Sequence, residues 1–87
     1  VKIIFHPEAW EEYLLWQAND RPVLRKLNRL IEAITRDPYE GIGKPEPLRF
    51  DYTGYWSRRI TDEHRLIYKV EGDALYIVQC RYHYNDS

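Results

Sequence analysis

One cysteine, no methionine and four glycines stand in a chain of 87 residues, and each scarcity narrows the field. A lone thiol closes no internal disulfide, and Cys80 sits in the alternating apolar run from Leu75 to Tyr82 as a small buried hydrophobe would. No stretch approaches the roughly 20 apolar residues of a membrane helix. The first residues also lack the charged-then-apolar order of a secretory signal, so a soluble cytoplasmic protein without membrane contact is expected. With no methionine and Val1 in first place, the first residue is expected to come from a GTG codon or from processing. Net charge is −1 at pH 7, so no global field announces a polyanionic partner. Internal repeats and low-complexity segments are absent, and the length suits a single domain over residues 1–87.

What the chain does hold is aromatic: three Trp and eight Tyr predict a core of large side chains. Its charges are segregated. Residues 21–36 carry Arg21, Arg25, Lys26, Arg29 and Arg36 against Glu32 alone, and 48–70 are basic again through Arg49, Arg58, Arg59, Arg65 and Lys69. Lys2 to Phe5 reads as a short strand. His6-Pro7-Glu8 then starts a helix, with proline in its first turn and an acid beside it. The spacing of Trp10, Tyr13, Leu14 and Gln17 predicts its buried face, with Glu8, Glu11 and Glu12 elsewhere. Asn19 and Asp20 are cap formers, and Leu24, Leu27, Ile31 and Ile34 mark a second helix that Asp37-Pro38 stops. Its basic residues lie outside that stripe.

From Tyr39 to Pro47 the density of Gly and Pro excludes a regular element. The rest reads as strands over Leu48 to Phe50, Tyr55 to Thr61, His64 to Glu71 and Ala74 to Tyr84, the last three as an antiparallel meander. Strict alternation would turn Leu66, Tyr68, Val70, Val78, Cys80 and Tyr82 to the core. Arg65, Ile67, Lys69, Gln79, Arg81 and His83 would then face the other way. The fold class expected is α+β, with two helices from the N-terminal half packed on one face of an antiparallel sheet. Arg58 resists the pattern, because it shares a parity with Trp56 and Ile60; an edge position or a bulge would explain it.

The face away from the helices collects Arg65, Arg81 and His83, joined by Arg59 if the turn at Asp62 sets that register. Guanidinium groups fork onto phosphate oxygens, although an ion-paired sheet surface is the competing reading for any single arginine. Glu46, between Pro45 and Pro47, sits on a stiff tether that would present its carboxylate with little freedom to lose; a solvated loop glutamate is the alternative. Gly43-Lys44 lacks the glycine spacing and the Ser or Thr of a nucleotide-binding loop. His6 and His64 have no ligand-spaced neighbours, so neither metal nor cofactor is expected.

These residues resemble, nearly end to end, the Txe/YoeB branch of the RelE superfamily of toxin endoribonucleases. The resemblance rests on Glu40-Gly41 with Gly43-Lys44-Pro45-Glu46-Pro47-Leu48, on Trp56-Ser57-Arg58-Arg59-Ile60-Thr61, on Glu63-His64-Arg65-Leu66, and on Cys80-Arg81-Tyr82-His83-Tyr84. It implies a microbial-ribonuclease-like fold and a ribosome-dependent endoribonuclease that cuts mRNA in the A site, inhibiting translation. It further implies a YefM/Phd-like antitoxin, the 70S ribosome with its mRNA, and operator DNA bound together with the antitoxin as partners, with a homodimer as a further candidate. On that resemblance Glu46 is the general base toward an RNA 2′-hydroxyl and His83 the general acid toward the leaving 5′-oxygen. Arg65 stabilises the phosphorane-like charge with Arg59 and Arg49, and Tyr84 stacks on or orients the substrate. Arg49 stands where family members often carry Lys. The rival readings are a toxin that acts by binding alone, such as a gyrase-directed relative, and a co-repressor of operator DNA.

Overall fold

Pro7 has no amide hydrogen to give to a sheet, and at that residue β1 (Lys2–Phe5) passes directly into α1 (Pro7–Asn19). The structure, a computed structural model, describes residues 1–83. Asp20 then serves both helices, closing α1 and capping α2 (Arg21–Arg36), whose Val23 amide donates to its carboxylate at 3.2 Å. The remaining chain forms β2 (Glu46–Pro47), a 3-10 turn at Phe50–Tyr52, β3 (Trp56–Arg59), β4 (Arg65–Glu71) and β5 (Ala74–Gln79). The sheet runs β1-β5-β4-β3-β2. Neighbours from β2 to β5 are antiparallel, and β1 joins the edge parallel to β5.

Both helices pack on one face of this sheet, as expected for the α+β class, and bury Ala9, Trp16, Leu27, Leu30 and Ile34 against Leu66, Tyr68, Leu75, Ile77 and Cys80. Within α2 the buried residues are Val23, Leu27, Leu30, Ile31 and Ile34, close to the periodic reading. Helix α1 is rotated from its expected phase. Trp10 and Leu14 are 46% and 41% exposed, and the inward face is Ala9, Glu12, Tyr13 and Trp16. The reason is polar: Glu12 turns in to accept the Cys80 amide at 2.8 Å, and Trp16 Nε1 donates to the Cys80 carbonyl at 2.8 Å. Hydropathy alone cannot place a glutamate there.

Burial raises the Glu12 carboxyl above its ordinary range, the bond from the Cys80 amide opposing this only in part. A carboxyl with a raised folded-state pKa binds more protons folded than unfolded, so its contribution favours the fold at low pH and is lost as pH climbs through the raised value. Glu12→Gln keeps the amide acceptor and removes the charge. It is expected to raise the melting temperature at pH 7 by an amount worth less than about 1 kcal/mol, given solvent screening of this half-exposed group. The gain should vanish in melts recorded below pH 4. Nearby, the Cys80 thiol is pushed up to about 12 by burial and by the charge of Glu12, in keeping with its reading as a buried, inert side chain.

Three strand expectations need correction. The expected strand at Leu48 to Phe50 is displaced to Glu46–Pro47, inside the segment read as irregular. There Pro47 sits on an edge strand, where its missing amide breaks no ladder bond. Beyond Leu48, whose amide still donates to Tyr55, Phe50 adopts a left-handed φ of 57° and the chain turns. The strand expected to run to Tyr84 stops at Gln79. Its alternation also fails, because the register slips between Ile67 and Tyr68, which pair with Gln79 and Ile77. Leu75 and Ile77 therefore fill the core, Val78 is only half-buried, and Tyr82 is exposed.

Candidate active site

Cross-strand partners point to the same face of a sheet, and the register places Glu46 opposite Ser57, Ser57 opposite Ile67, and Ile67 opposite Gln79. Two residues along, Arg59 faces Arg65. Glu46, Arg59 and Arg65 thus share the face away from the helices. Arg58, Leu66 and Tyr68 take the opposite one. On the open face Ser57 and Ile67 are buried, and Lys69 lies 5.2 Å from the Tyr55 ring and 5.8 Å from that of Tyr76, a cation–π arrangement.

The turn between β3 and β4 organises the cationic centre. Thr61 Oγ1 accepts the amides of Glu63 and His64, which fixes the carbonyl of Asp62. Arg65 Nη1 donates to the carbonyls of Thr61 at 2.7 Å, Asp62 at 3.1 Å and His64 at 3.1 Å. His83 Nε2 lies 3.2 Å from the same Asp62 oxygen. Arg65 and His83 therefore converge on one backbone carbonyl, with one guanidinium arm fixed by the turn and the rest of the fork uncommitted among the described residues. The segment that carries His83 is held from both sides: the Arg65 amide donates to the Tyr82 carbonyl at 3.0 Å, and the Tyr82 amide to His64 Nδ1 at 2.8 Å. His64 is itself packed edge-on against Trp16, with ring centroids 4.7 Å apart. Tyr82 needs this clamp, because it is left-handed at φ 61°.

The carboxylate is positioned by a different device. Arg58 is fully buried on the helix face, where its Nε donates to the Tyr68 hydroxyl at 3.1 Å. Its Nη1 reaches the Ile42 carbonyl at 3.1 Å, and Nη2 those of Asp37 at 2.6 Å and Glu40 at 3.0 Å. It neither snorkels nor sits on a bulge; it fastens the loop that leads to Glu46. Tyr68 adds a bond from its hydroxyl to Pro38. Gly43 then crosses so close to β3 that its carbonyl accepts the Arg59 amide at 2.6 Å. A Cβ on Gly43 would meet Leu30 Cδ2 at 2.7 Å and the Arg59 carbonyl oxygen at 3.2 Å, at a φ of +84°. Gly43→Ala is accordingly expected to lower stability by about 1–3 kcal/mol, read as a shift of the urea midpoint.

Of the expected site residues, Glu46, Arg59, Arg65 and His83 are brought to one face and its adjoining turn. Arg49 stands exposed just before the 3-10 turn, beyond β2. Arg81 does not join them. Its guanidinium lies 4.5 Å from the Tyr82 ring and 6.0 Å from that of Trp16, beside Glu8, Glu11 and Glu12 of α1, because the chain has left the strand and alternation no longer governs it. Tyr84 lies outside the described residues. The sequence reading missed His64 and Arg58; only the failure of Arg58 to fit its strand parity hinted at a role. Among the described residues no three His, Cys, Asp or Glu side chains gather as a metal site would require, and no helix is long and apolar enough to cross a membrane.

The sequence matches, over residues 5–84, the family model described as "YoeB-like toxin of bacterial type II toxin-antitoxin system". Toxin YoeB of Streptomyces coelicolor is 56% identical over 84 residues, covering 97% of this chain and all of the relative. Among solved structures, a YoeB/ParE toxin from Agrobacterium tumefaciens superposes with a TM-score of 0.94 at 46% identity, covering 97% of this chain and 100% of that one. The toxin fold also superposes on a chain of the YoeB-YefM complex from Staphylococcus aureus, with a TM-score of 0.90 at 46% identity, covering 97% of this chain and 98% of that one. An end-to-end likeness at this identity, on the fold derived above, carries the assignment: the chain belongs to the YoeB-like toxin family of bacterial type II toxin–antitoxin systems.

Proposed function

We propose that the protein is an endoribonuclease that cuts mRNA on the ribosome by side-chain acid–base catalysis, with Glu46, Arg65 and His83 as the reacting centre. The observation that carries this reading is the convergence of Arg65 and His83 on the Asp62 carbonyl, beside the sheet face that presents Glu46 and Arg59.

The chemistry follows from the residue types. Glu46 is an exposed carboxylate on an edge strand and takes the proton of a ribose 2′-hydroxyl, whose oxygen then attacks the neighbouring phosphorus. The uncommitted part of the Arg65 guanidinium, with Arg59 opposite it, stabilises the negative charge that builds on the equatorial oxygens. His83 hands a proton to the departing 5′-oxygen. The bond to that oxygen breaks as the 2′-oxygen bond forms, leaving a 2′,3′-cyclic phosphate and a 5′-hydroxyl. Arg49 adds its charge to that stabilisation, and Tyr84 stacks on or orients the substrate, as the family resemblance implies. A net charge of −1 gives little affinity for free RNA, whose binding rests on neutralised phosphates, so a ribosome that positions the mRNA suits the protein. The cognate partner is a YefM-like antitoxin, by likeness to the Staphylococcus aureus complex, and the cytoplasm is where both ribosome and antitoxin are met.

The test is incubation with translating ribosomes on a defined mRNA, with cleavage mapped by primer extension and a chelator in parallel. Chelator-insensitive cuts that need the ribosome and end in cyclic phosphate are expected. Folded wild-type protein that makes no cuts would overturn the reading in favour of a toxin or co-repressor that acts by binding.

A further inference from the structure

Beside the Asp62 turn lies a second feature, whose two lysines the proposed chemistry does not use. A cleft of about 280 Å³ is lined by Lys26 of α2, Gly43 and Lys44 of the loop, Arg59 at the end of β3, and Ile60, Thr61 and Asp62. Three elements distant in sequence each send one cation to it. The ion pairs among the described residues, Arg36 with Glu32, Lys69 with Glu71 and His64 with Glu63, all lie elsewhere. Against three cations the lining offers one acid, Asp62. Unpaired like charges brought together repel one another, an arrangement that a bound anion relieves.

The backbone is shaped for the same purpose. Gly43 and Lys44 take successive left-handed conformations, at φ 84° and 52°, and the Gly43 carbonyl is tied back to the Arg59 amide. The loop is thereby pinned against β3, with Lys44 exposed at its rim. Gly43-Lys44 is no nucleotide-binding loop by its spacing, but this local geometry gives its lysine a use. The cleft is also contiguous with the catalytic turn: Asp62 lines it while its carbonyl receives Arg65 and His83, and Arg59 belongs to both.

We propose that the Lys26–Lys44–Arg59 cleft is a second anion site, which takes a backbone phosphate of RNA other than the one cleaved. The inference deepens the endoribonuclease reading and rests on it. An RNA chain carries a charge at every nucleotide, so a strand seated at Arg65 has further phosphates to place, and a cationic cleft sharing Arg59 is where one of them goes. The phosphate comes from the cleaved strand itself or from ribosomal RNA, and the two sources are separable.

Binding is to be measured across a salt series for the wild-type protein and for Lys26→Gln combined with Lys44→Asn, asparagine being chosen because it tolerates a left-handed φ. The probes are a 2′-O-methylated single strand, which keeps every phosphate and lacks the attacking hydroxyl, vacant 70S ribosomes, and polyglutamate, with each series begun at low salt, where weak electrostatic binding is measurable. Arg25→Gln with Arg29→Gln, on a separate groove of α2, removes the same charge elsewhere. In the cleft variant, the slope of log affinity against log salt on the single strand is expected to fall by about 0.7 for each phosphate that the protein no longer neutralises. A change on the strand assigns the site to the substrate, and a change on ribosomes alone assigns it to ribosomal RNA. Slopes unchanged on both probes, or an equal loss in the Arg25/Arg29 variant, would overturn the proposal. Loss of affinity for polyglutamate alone would overturn it too, giving the cleft to an acidic protein segment. Ribosomal cleavage by the wild-type protein, run alongside, reports separately on the endoribonuclease reading.

Discussion

His83→Ala is expected to lower the rate of ribosome-dependent cleavage by roughly 10² to 10⁴ while leaving the fold in place, and Glu46→Gln to do the same. Both side chains are exposed. The hydrogen bond of His83 to Asp62 is on the surface, and Glu46 contributes to the sheet through its backbone. Neither substitution takes a side chain out of the core, so melting temperatures should move by no more than about 0.5 kcal/mol of stability. The loss should appear in the single-turnover rate at saturating ribosomes, because an acid or base acting on the reacting bond affects the barrier more than the encounter. The double variant should be little worse than either single one, as groups that act as a unit are not additive. Full activity in both single variants would remove these residues from the chemistry and leave Arg65 to act alone.

How far the sequence foretold this arrangement depended on which force placed each residue. Helix α2 was legible because a periodic apolar stripe and an Asp cap act locally, and its buried set differs only by Val23, Leu24 and Leu30. Helix α1 was misphased because a glutamate occupies its inner face to meet an amide 68 residues away, a partner no window along the chain contains. Arg65 stands out by residue type and Glu46 by its tether between two prolines, while their proposed roles come from the family resemblance; what the structure adds is a register that puts both on one face. Arg81 and Tyr82 were misplaced because alternation was carried through a bulge and past the strand's end. His64 looked like a strand start; its acceptor role toward Tyr82 exists only once that residue turns left-handed.

Arg58 is the residue on which fold and site meet, and its replacement by methionine is expected to cost the protein about 3–5 kcal/mol. The guanidinium is 0% exposed and always charged, yet no carboxylate lies within ion-pair distance of it among the described residues. Three loop carbonyls and the Tyr68 hydroxyl take the place of its water. Methionine fills much of the volume but leaves those acceptors without a donor, each at a cost of about 1–3 kcal/mol, reduced where water reaches the loop. Against the roughly 5–15 kcal/mol that holds a typical domain folded, this is a large fraction, and the urea midpoint should fall accordingly. Tyr68→Phe removes only the hydroxyl between Arg58 and Pro38, and should cost about 1–2 kcal/mol. It also serves as the functional probe, since it is expected to stay folded while freeing one tether of the loop before Glu46. If that loop sets the carboxylate, Tyr68→Phe should slow cleavage at saturating ribosomes without weakening ribosome binding. A variant that is less stable but cuts at the wild-type rate would show that Glu46 is held by its pairing to Ser57 alone.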